Sequence, residues 1–382
     1  MTFVSDRRIE LGLTEAWPKL CAWRQPRRFD RRAELGLYRS KTMQNSSLKP
    51  IAIALCAVII ASGLGFIWAS SPSWSNAEKY AMLAHRYPTR ITDDNVYSLL
   101  SYNIGYLSGL TNNRAVVRDP DFQQANMQSV KQRLDELGAD ILAVQEIDYQ
   151  ADRSFNVNQQ NEIAKLGYNH VAQAVNWDVN YVPFPYGMPS VHFGRVVSGQ
   201  SVLSKYPMIK HRPVILDRVP ETPYYRDAFY LDRLAQVVHI VLDQQVVVVI
   251  NVHLESYDRT TRGRQLQQVI ALYKRYSTRF PTLLVGDFNS DPVSPNAHIH
   301  ELLAIPNIGA AAFSIDNYVN TYNSGAADQR LDYIFYNRAF IAPIDGRIAT
   351  EFGQLSDHFP VLFRFKLRPL AVHLPTDDAP RL

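Results

Sequence analysis

A strand pattern that ends in two polar residues constrains this chain more than any other feature. The strand-like run 282–285 leads through Gly286 into Asp287 and Asn289. Residues two apart in a strand lie on the same side, so a carboxylate and an amide emerge together at the strand end, where sheet enzymes often hold reactive groups. Taken alone, Asp-Phe-Asn is more typical of an Asx turn that closes a strand. The rest of the chain has to decide between these interpretations.

The composition is that of a globular protein with a basic N-terminal segment. Hydrophobic residues make up 46% of the chain and charged residues 20%, which is ordinary. Both cysteines, Cys21 and Cys56, precede residue 60, which excludes a disulfide framework or a cysteine zinc site in the remainder. Residues 1–49 carry eleven Lys and Arg against five Asp and Glu, which leaves 29 basic and 31 acidic residues elsewhere. This balance argues against broad binding to a nucleic acid backbone.

An uncharged apolar run covers residues 50–69. Twenty residues of helix rise about 30 Å, enough to cross a bilayer core. Lys and Arg crowd its N-terminal flank, so we expect the leader to remain in the cytoplasm and the main domain to cross. The run is longer than a usual signal-peptide core, which favours an uncleaved signal anchor. A buried core helix is the alternative.

We therefore predict a single-pass protein of the plasma (inner) membrane with an extracytoplasmic folded domain. Met43 would make a conventional signal-anchor start, so the sequence leaves open whether the segment before it belongs to the protein. Residues 77–87, before Pro88, have a helical pattern within the stem. The predicted regions are a basic leader at 1–49, a transmembrane helix at 50–69, a stem at 70–95, the folded domain at 96–368 and a tail at 369–382.

Strands and helices alternate in the first half of the folded domain, and the strands end in polar residues. The run 96–103 is a strand pattern that ends at Asn103, and Asp121 can cap a helix that runs to Leu137. The continuous apolar strand that follows ends at Glu146. A strand buried on both faces has this composition, and its polar end needs a partner, of which a divalent cation is one candidate. The alternative is that Glu146 marks the solvent end of the strand.

The same pattern recurs in the second half. A predicted hairpin of strands 234–242 and 245–252 delivers Asn251 and His253 on one side, and a helix over 259–279 follows. Asp332 interrupts the apolar strand 331–336, where an unpaired acid would be costly. Further polar residues precede the last strand, 361–365. They are Asp357 and His358.

An aromatic and proline-rich loop at 182–190 cannot be a central strand. It forms either a wall of a substrate cleft or a packing element over a sheet edge. His192 and Arg195 close the loop, and together with Asn251 they are our candidates for substrate binding.

Six short motifs follow one another between residues 101 and 360. They are Ser-Tyr-Asn103-Ile, Gln145-Glu146, Asn251-Val-His253-Leu, Gly286-Asp287-Phe-Asn289, Leu331-Asp332-Tyr-Ile and Ser356-Asp357-His358. In this order they resemble the endonuclease/exonuclease/phosphatase superfamily of metal-dependent hydrolases. The resemblance implies a four-layer α/β sandwich, with two mixed β-sheets packed face to face and helices outside, preceded here by the one transmembrane helix. It also implies hydrolysis of phosphate esters at one end of the sandwich.

The resemblance assigns a role to each matching position. It implies that Asn103 and Glu146 hold Mg²⁺ or Mn²⁺, with Asp357 on or near the metal. It implies that Asp287 orients or deprotonates water and that Asn289 contacts phosphoryl oxygens. It further implies that Asp332 orients His358. The two histidines, His253 and His358, would donate hydrogen bonds to phosphoryl oxygens or assist the leaving group.

The class of substrate has to be inferred from the location and the net charge of the folded domain. An anchored extracytoplasmic domain meets lipid headgroups, nucleotides and extracellular nucleic acid, and the aromatic loop with the anchor suits a lipid headgroup. We therefore predict a membrane-anchored phosphodiesterase. Nucleic acid as the substrate of an extracytoplasmic nuclease is less favoured, because the domain is slightly acidic. A catalytically inactive, membrane-tethered binding module is the alternative from another class. No obligate protein partner is evident.

Overall fold

The computed structural model describes residues 48–92 and 94–369. The predicted leader up to residue 47, including Met43, and the tail from residue 370 lie outside the described residues. The chain divides into two compact units, residues 1–57 and 58–382. The described part of the first unit is helical, and the second unit contains the sheets.

The described residues form α-helices, β-strands and short 3-10 turns. The helices are α1 Leu48–Ser70, α2 Asn76–Lys79, α3 Pro120–Leu137, α4 Gln159–Ala164, α5 Tyr224–Asp227, α6 Arg259–Ser277 and α7 Ile299–Leu303. The strands are β1 Met82–Ala84, β2 Tyr97–Asn103, β3 Ile141–Ala151, β4 His170–Val182, β5 Gly194–Ser204, β6 Met208–Ile215, β7 Leu234–Leu242, β8 Gln245–His253, β9 Thr282–Asp287, β10 Ile308–Ala310, β11 Phe313–Ser314, β12 Asn317–Tyr318, β13 Asp332–Asn337, β14 Ile341–Ile348 and β15 Val361–Leu367.

Helix α1 covers the predicted transmembrane segment. By length and composition, residues 49–70 are sufficient to cross a membrane, and the most apolar window of this helix is not buried by protein. Only its last residues, from Phe66 onward, include partly buried side chains. The prediction of one N-terminal apolar helix is confirmed.

Two mixed β-sheets make up the centre of the fold. The first sheet has the strand order β1-β4-β5-β3-β2-β15-β14, and the second has the order β10-β13-β9-β8-β7-β6. Strands β2 and β3 are parallel, as are β8 and β9, and the other pairs are antiparallel. The predicted hairpin is confirmed as β7 and β8, and the helix predicted after it as α6.

Most buried side chains of the described residues form three hydrophobic layers, as a four-layer sandwich requires. The middle layer packs the facing surfaces of the two sheets, with Leu99 and Ile141 opposite Val249 and Val285. Helices α3 and α4 cover the outer face of the first sheet. Helices α6 and α7 cover the outer face of the second. The predicted four-layer α/β sandwich of two mixed sheets is therefore confirmed.

Two local predictions were wrong. The helical pattern at 77–87 yields only the four-residue α2, after which β1 pairs antiparallel with β4. This pairing satisfies backbone groups that an uncovered edge strand would leave exposed. The cap of α3 is Asp119, whose side chain accepts from the Asp121 amide, and Pro120 occupies the first helical turn. Proline at that position needs no hydrogen-bond partner, so the helix begins before Asp121.

Gly286 allows β8 and β9 to approach closely beside the polar strand ends. Its φ is 132°, and a Cβ atom there would lie 1.9 Å from the Val252 carbonyl oxygen. Only glycine tolerates both conditions. The strand that carries Asp287 is thereby held tightly against the strand that carries His253.

Candidate active site

Three site residues stand in one row across the second sheet. His253 pairs in register with Asp287, and Asp287 pairs with Asp332 on the other side. All three are buried. Neighbouring strands are about 4.8 Å apart, so a carboxylate, a second carboxylate and an imidazole meet at the same end of the sandwich.

The first sheet brings Asn103 and Glu146 to the same place. Asn103 ends β2, and its Nδ2 donates to Glu146 Oε1 at 3.3 Å and to Asp287 Oδ2 at 3.1 Å. Strand β3 has a register shift between Val144 and Ile147, and Glu146 has a φ of 51°. Such a bulge breaks the alternation of side chains. Gln145 therefore points into the core, while Glu146 points into the site.

Glu146 and Asp357 form a pair of carboxylates joined by Asn112. The Asn112 Nδ2 donates to Glu146 Oε2 at 2.8 Å and to Asp357 Oδ2 at 3.3 Å. Burial and the Asp357 carboxylate raise the pKa of Glu146. Gly105 borders this pair, and a Cβ atom there would lie 2.8 Å from Asp357 Oδ1. The absence of a side chain at Gly105 therefore leaves room beside the two carboxylates.

Asp332 and His358 form a buried ion pair. The His358 Nδ1 lies 2.8 Å from Asp332 Oδ2. Burial opposes the charged imidazole, but Asp332, together with Asp287 and Asp357, raises the pKa of His358 well above its ordinary value. The Nε2 atom then faces Asp287 Oδ2 at 3.8 Å. His358 therefore favours its protonated form, and its Nε2 atom points toward Asp287.

Asp287 occupies the centre of the site. Burial and the Asp332 carboxylate raise the pKa of Asp287 to about 7, against the opposing charge of His358. His253 Nε2 lies 3.6 Å from Asp287 Oδ2. Burial, together with the Arg233 and His358 charges, lowers the pKa of His253 well below its ordinary value. The two histidines thus have opposite protonation preferences around one carboxylate.

Asn289 follows Asp287 in a left-handed backbone conformation, with a φ of 48°. Its backbone amide donates to Asp287 Oδ1 at 2.9 Å, and its Nδ2 donates to the Leu254 carbonyl at 3.0 Å. Asparagine adopts this conformation more readily than most residues. The turn therefore orients Asp287, as the Asx-turn interpretation expected, and also keeps Asn289 next to it.

The structure does not bring the three substrate-binding candidates into this group of contacts. Asn251 is fully buried, and its amide bonds to Gln145, Gln236 and backbone carbonyls, so it joins the two sheets. His192 Nδ1 bonds to the Tyr181 hydroxyl at 2.8 Å. Arg195 donates to Ser73 Oγ at 3.0 Å. Their part in substrate binding therefore stays a prediction.

Three residues at the site were not found from the sequence. Asn112 lies in a loop between β2 and α3, without a strand-end pattern. Tyr322 packs its ring 4.9 Å from the ring of His358. Arg153 lies near enough to Glu146 for their charges to interact, and it pairs with Asp148 at 2.8 Å. A polar pair such as Asn112-Asn113 in a loop was the available signal, but it is equally typical of a turn.

The residues present fit a divalent cation. The group of Asn103, Glu146 and Asp357 offers the hard oxygen donors that Mg²⁺ and Mn²⁺ prefer. The buried Asn112 Oδ1 has no hydrogen-bond partner among the described residues, so an oxygen that prefers a positive neighbour stands beside two carboxylates. A second compact group, Asp287, Asp332 and His358, has one candidate ligand atom each within 4.8 Å of the others. In this second group, His358 already bonds to Asp332.

Comparisons with known proteins identify similar chains. A UPF0294 protein of Vibrio cholerae serotype O1 is 30% identical over 125 residues, which are 33% of this chain and 42% of that protein. The chain therefore matches less than half the length of this curated relative.

Two solved structures share the fold. An endonuclease/exonuclease/phosphatase from Beutenbergia cavernae has a TM-score of 0.52 at 19% identity, covering 71% of this chain and 72% of that one. One from Bacteroides vulgatus has a TM-score of 0.51 at 15% identity, covering 72% and 99%. Residues 100–358 match the sequence model of the endonuclease/exonuclease/phosphatase family. That range contains every catalytic and metal-binding candidate described above, and the chain belongs to the endonuclease/exonuclease/phosphatase family.

Proposed function

We propose that this protein is a membrane-anchored phosphodiesterase that depends on Mg²⁺ or Mn²⁺. Members of its family are phosphoester hydrolases, and the finer assignment rests on the site. The observation that carries it is the pair Glu146 and Asp357, joined by Asn112, beside the row of His253, Asp287 and Asp332. A cation position next to a carboxylate base and two histidines is suited to attack on an anionic phosphate ester.

Asn103, Glu146 and Asp357 would hold the cation, with Asn112 beside them. When bound, the ion would neutralise charge on the phosphoryl oxygens and stabilise the charge that develops in the transition state. The chain itself supplies the open space at Gly105 and the amides that orient the carboxylates.

Asp287 is the proposed base. Its pKa, raised to about 7 by burial and Asp332, suits a group that accepts a proton near neutral pH. The water oxygen would bond to phosphorus while its proton passes to Asp287. Asn289 lies adjacent and would contact the phosphoryl oxygens.

The two histidines have different proposed roles. His358, kept protonated by Asp332, would donate its Nε2 proton to the leaving oxygen as the P–O bond breaks. His253, whose low pKa keeps it neutral, would donate a hydrogen bond to a phosphoryl oxygen. Asp332 fixes the tautomer and orientation of His358, as carboxylates do for histidines in many sites.

The anchor is the second part of the proposal. Helix α1 is long and apolar enough to span a bilayer, and the leader charge would orient it with the main domain outside the cytoplasm. The substrate would then be an extracytoplasmic phosphodiester, with a lipid headgroup favoured over nucleic acid because residues 50–382 carry slightly more acidic than basic residues.

Metal-dependent hydrolysis by the full chain in lipid nanodiscs tests this function. The substrates are a bis-aryl phosphodiester, plasmid DNA, an aryl phosphate monoester and a phospholipid, with Asp287→Ala as the inactive control. We expect diester turnover that a chelator abolishes and added Mg²⁺ or Mn²⁺ restores. DNA turnover alone would favour the nuclease alternative. Failure on all substrates, with no cation binding, would favour the binding-module alternative.

A further inference from the structure

The end of helix α1 is fixed to the folded domain by aromatic and polar contacts. Phe66 packs edge-on against Tyr224 and Phe229, with ring centroids 5.9 and 5.4 Å apart. Asn180 Nδ2 donates to the Trp68 carbonyl at 3.0 Å. The last turns of α1 therefore lie directly against β4 and α5.

The segment that follows α1 is also held. The Asp178 carboxylate accepts from the backbone amides of Ser73 and Trp74, each at 2.9 Å, and pairs with Lys79 at 3.1 Å. The predicted stem is thus bound to β4 rather than extended away from it. A membrane around α1 would meet this side of the domain at short range.

Large exposed side chains surround this junction. Tyr224 and Tyr225 on α5 are 77% and 55% exposed, and Arg226 beside them is also exposed. In the aromatic loop, Tyr186 is 79% and Met188 73% exposed. Tyrosine rings next to a basic residue are typical of protein surfaces at the membrane–water boundary.

The aromatic loop and α5 belong to one packed cluster. Phe184 contacts Phe193, and Phe193 contacts Trp177, with ring centroids 5.5 and 6.0 Å apart. The Trp177 Nε1 donates to the Phe229 carbonyl at 2.9 Å. The exposed residues therefore stand on a common base that also contacts the end of α1.

We propose that Tyr186, Met188, Tyr224 and Tyr225, with residues 64–70 of α1, form an interfacial surface that docks on the lipid bilayer, and that the substrate is a phosphodiester headgroup of a lipid in that bilayer. This inference rests on the proposed function for its chemistry. The occupant of the surface is the bilayer because the same cluster is continuous with the helix that would enter it.

A short segment connects the interfacial surface to the active site. Tyr230 lies six residues after Tyr224. Its hydroxyl group donates a hydrogen bond to the Glu255 carboxylate, whose two oxygens are each 2.9 Å from the hydroxyl oxygen. Glu255 stands two residues beyond His253 and pairs with the buried Arg233 at 3.6 Å. The interfacial surface is therefore linked by direct contacts to the strand end that carries His253. Hydrolysis would use one water, breaking one P–O bond and leaving the hydroxyl on phosphorus and the proton on the released alcohol.

Fluorescence quenching tests the docking directly. Tyr186→Trp and Tyr224→Trp are placed separately in the full chain, which is reconstituted in nanodiscs with brominated acyl chains. Ile344→Trp is the matched control, because Ile344 is exposed on β14, at the opposite edge of the first sheet from β1 and β4. After subtraction of wild-type emission, we expect quenching at positions 186 and 224 and none at 344. Equal emission in brominated and ordinary lipids at all three positions would overturn the proposal.

Kinetics test the substrate. In the same nanodiscs, Tyr224→Ala/Tyr225→Ala should lower turnover of the membrane phospholipid about tenfold, the effect of roughly 1.4 kcal/mol of lost docking, and leave turnover of a soluble bis-aryl phosphodiester unchanged. Ile344→Ala should change neither. A parallel fall for both substrates, or no fall for the lipid, would overturn the proposal.

The wild-type chain separates this inference from the proposed function. Turnover of the soluble diester without turnover of the lipid would overturn the lipid substrate and leave the phosphodiesterase standing. Absence of metal-dependent turnover on either substrate would contradict the phosphodiesterase itself, and the quenching result would still decide the docking.

Discussion

The two halves of the active site balance their negative charges in different ways. In the metal half, Glu146 and Asp357 accept from the neutral amides of Asn103 and Asn112. In the proton half, Asp287 and Asp332 face His358, whose pKa is raised above its ordinary value. Buried carboxylates need a partner of opposite charge. The proton half contains its own partner, whereas we propose that a divalent cation supplies the partner of the metal half.

Asp287→Ala should have the largest effect, because it removes the base and leaves the metal half intact. We expect the turnover of a bis-aryl phosphodiester to fall about 10²- to 10⁴-fold, the usual contribution of a positioned base. Mn²⁺ affinity, measured by calorimetry on the same sample, should stay within about threefold. A loss of Mn²⁺ binding equal to the loss of turnover would show that the two halves are not separable.

Glu146→Gln should produce the reverse pattern. It removes a charge from the metal half, so we expect Mn²⁺ affinity to fall about 100-fold, at the upper end of the effect of losing a supporting carboxylate. Turnover should recover partly at saturating Mn²⁺, which Asp287→Ala cannot do. Unchanged affinity would exclude Glu146 as a ligand.

Asp332→Asn should lower turnover about 10- to 100-fold, because His358 would lose both its orientation and its charge. His358→Ala should have a similar effect, and the double variant should be no worse than the more impaired single variant, because the two residues act as a unit.

The alkaline limb of the pH profile should also move in Asp332→Asn. Burial would no longer be opposed by Asp332, so the pKa of His358 would fall and activity would be lost at lower pH. Additive effects would contradict the pairing.

Asn112→Ala should have the smallest effect, about a tenfold loss of Mn²⁺ affinity, because it removes an amide that orients two carboxylates rather than a charge. Its neighbour Asn113 is exposed and provides the matched control, since Asn113→Ala should bind Mn²⁺ as the wild type does. Equal behaviour of the two variants would remove Asn112 from the metal half.

The sequence could predict that three of the site residues meet, because they lie on neighbouring strands. His253, Asp287 and Asp332 occupy paired register positions, so strand order alone brings them together. Asn103 is predictable for the same reason, as the end of β2. The sequence pattern predicted individual strands and helices, whereas the arrangement of two sheets with helices outside came from the family resemblance.

The metal half was only partly predictable. Glu146 reaches the site through a bulge in β3, and Asn112 reaches it from a loop whose conformation depends on distant residues. Asn251 shows the opposite case. It shares a strand face with His253, yet its side-chain amide bonds to Gln145 and Gln236 in the core between the sheets. Periodicity fixes the side of a strand on which a residue lies, but not whether that position opens to a cleft.

The position of a bound Mn²⁺ ion would distinguish the two halves of the site. We predict that the anomalous scattering of Mn²⁺ in crystals of the full chain will give a peak between the carboxylate oxygens of Glu146 and Asp357, next to Asn112. A peak held instead by Asp287, Asp332 and His358, or no peak at saturating Mn²⁺, would contradict the division of the site into a metal half and a proton half.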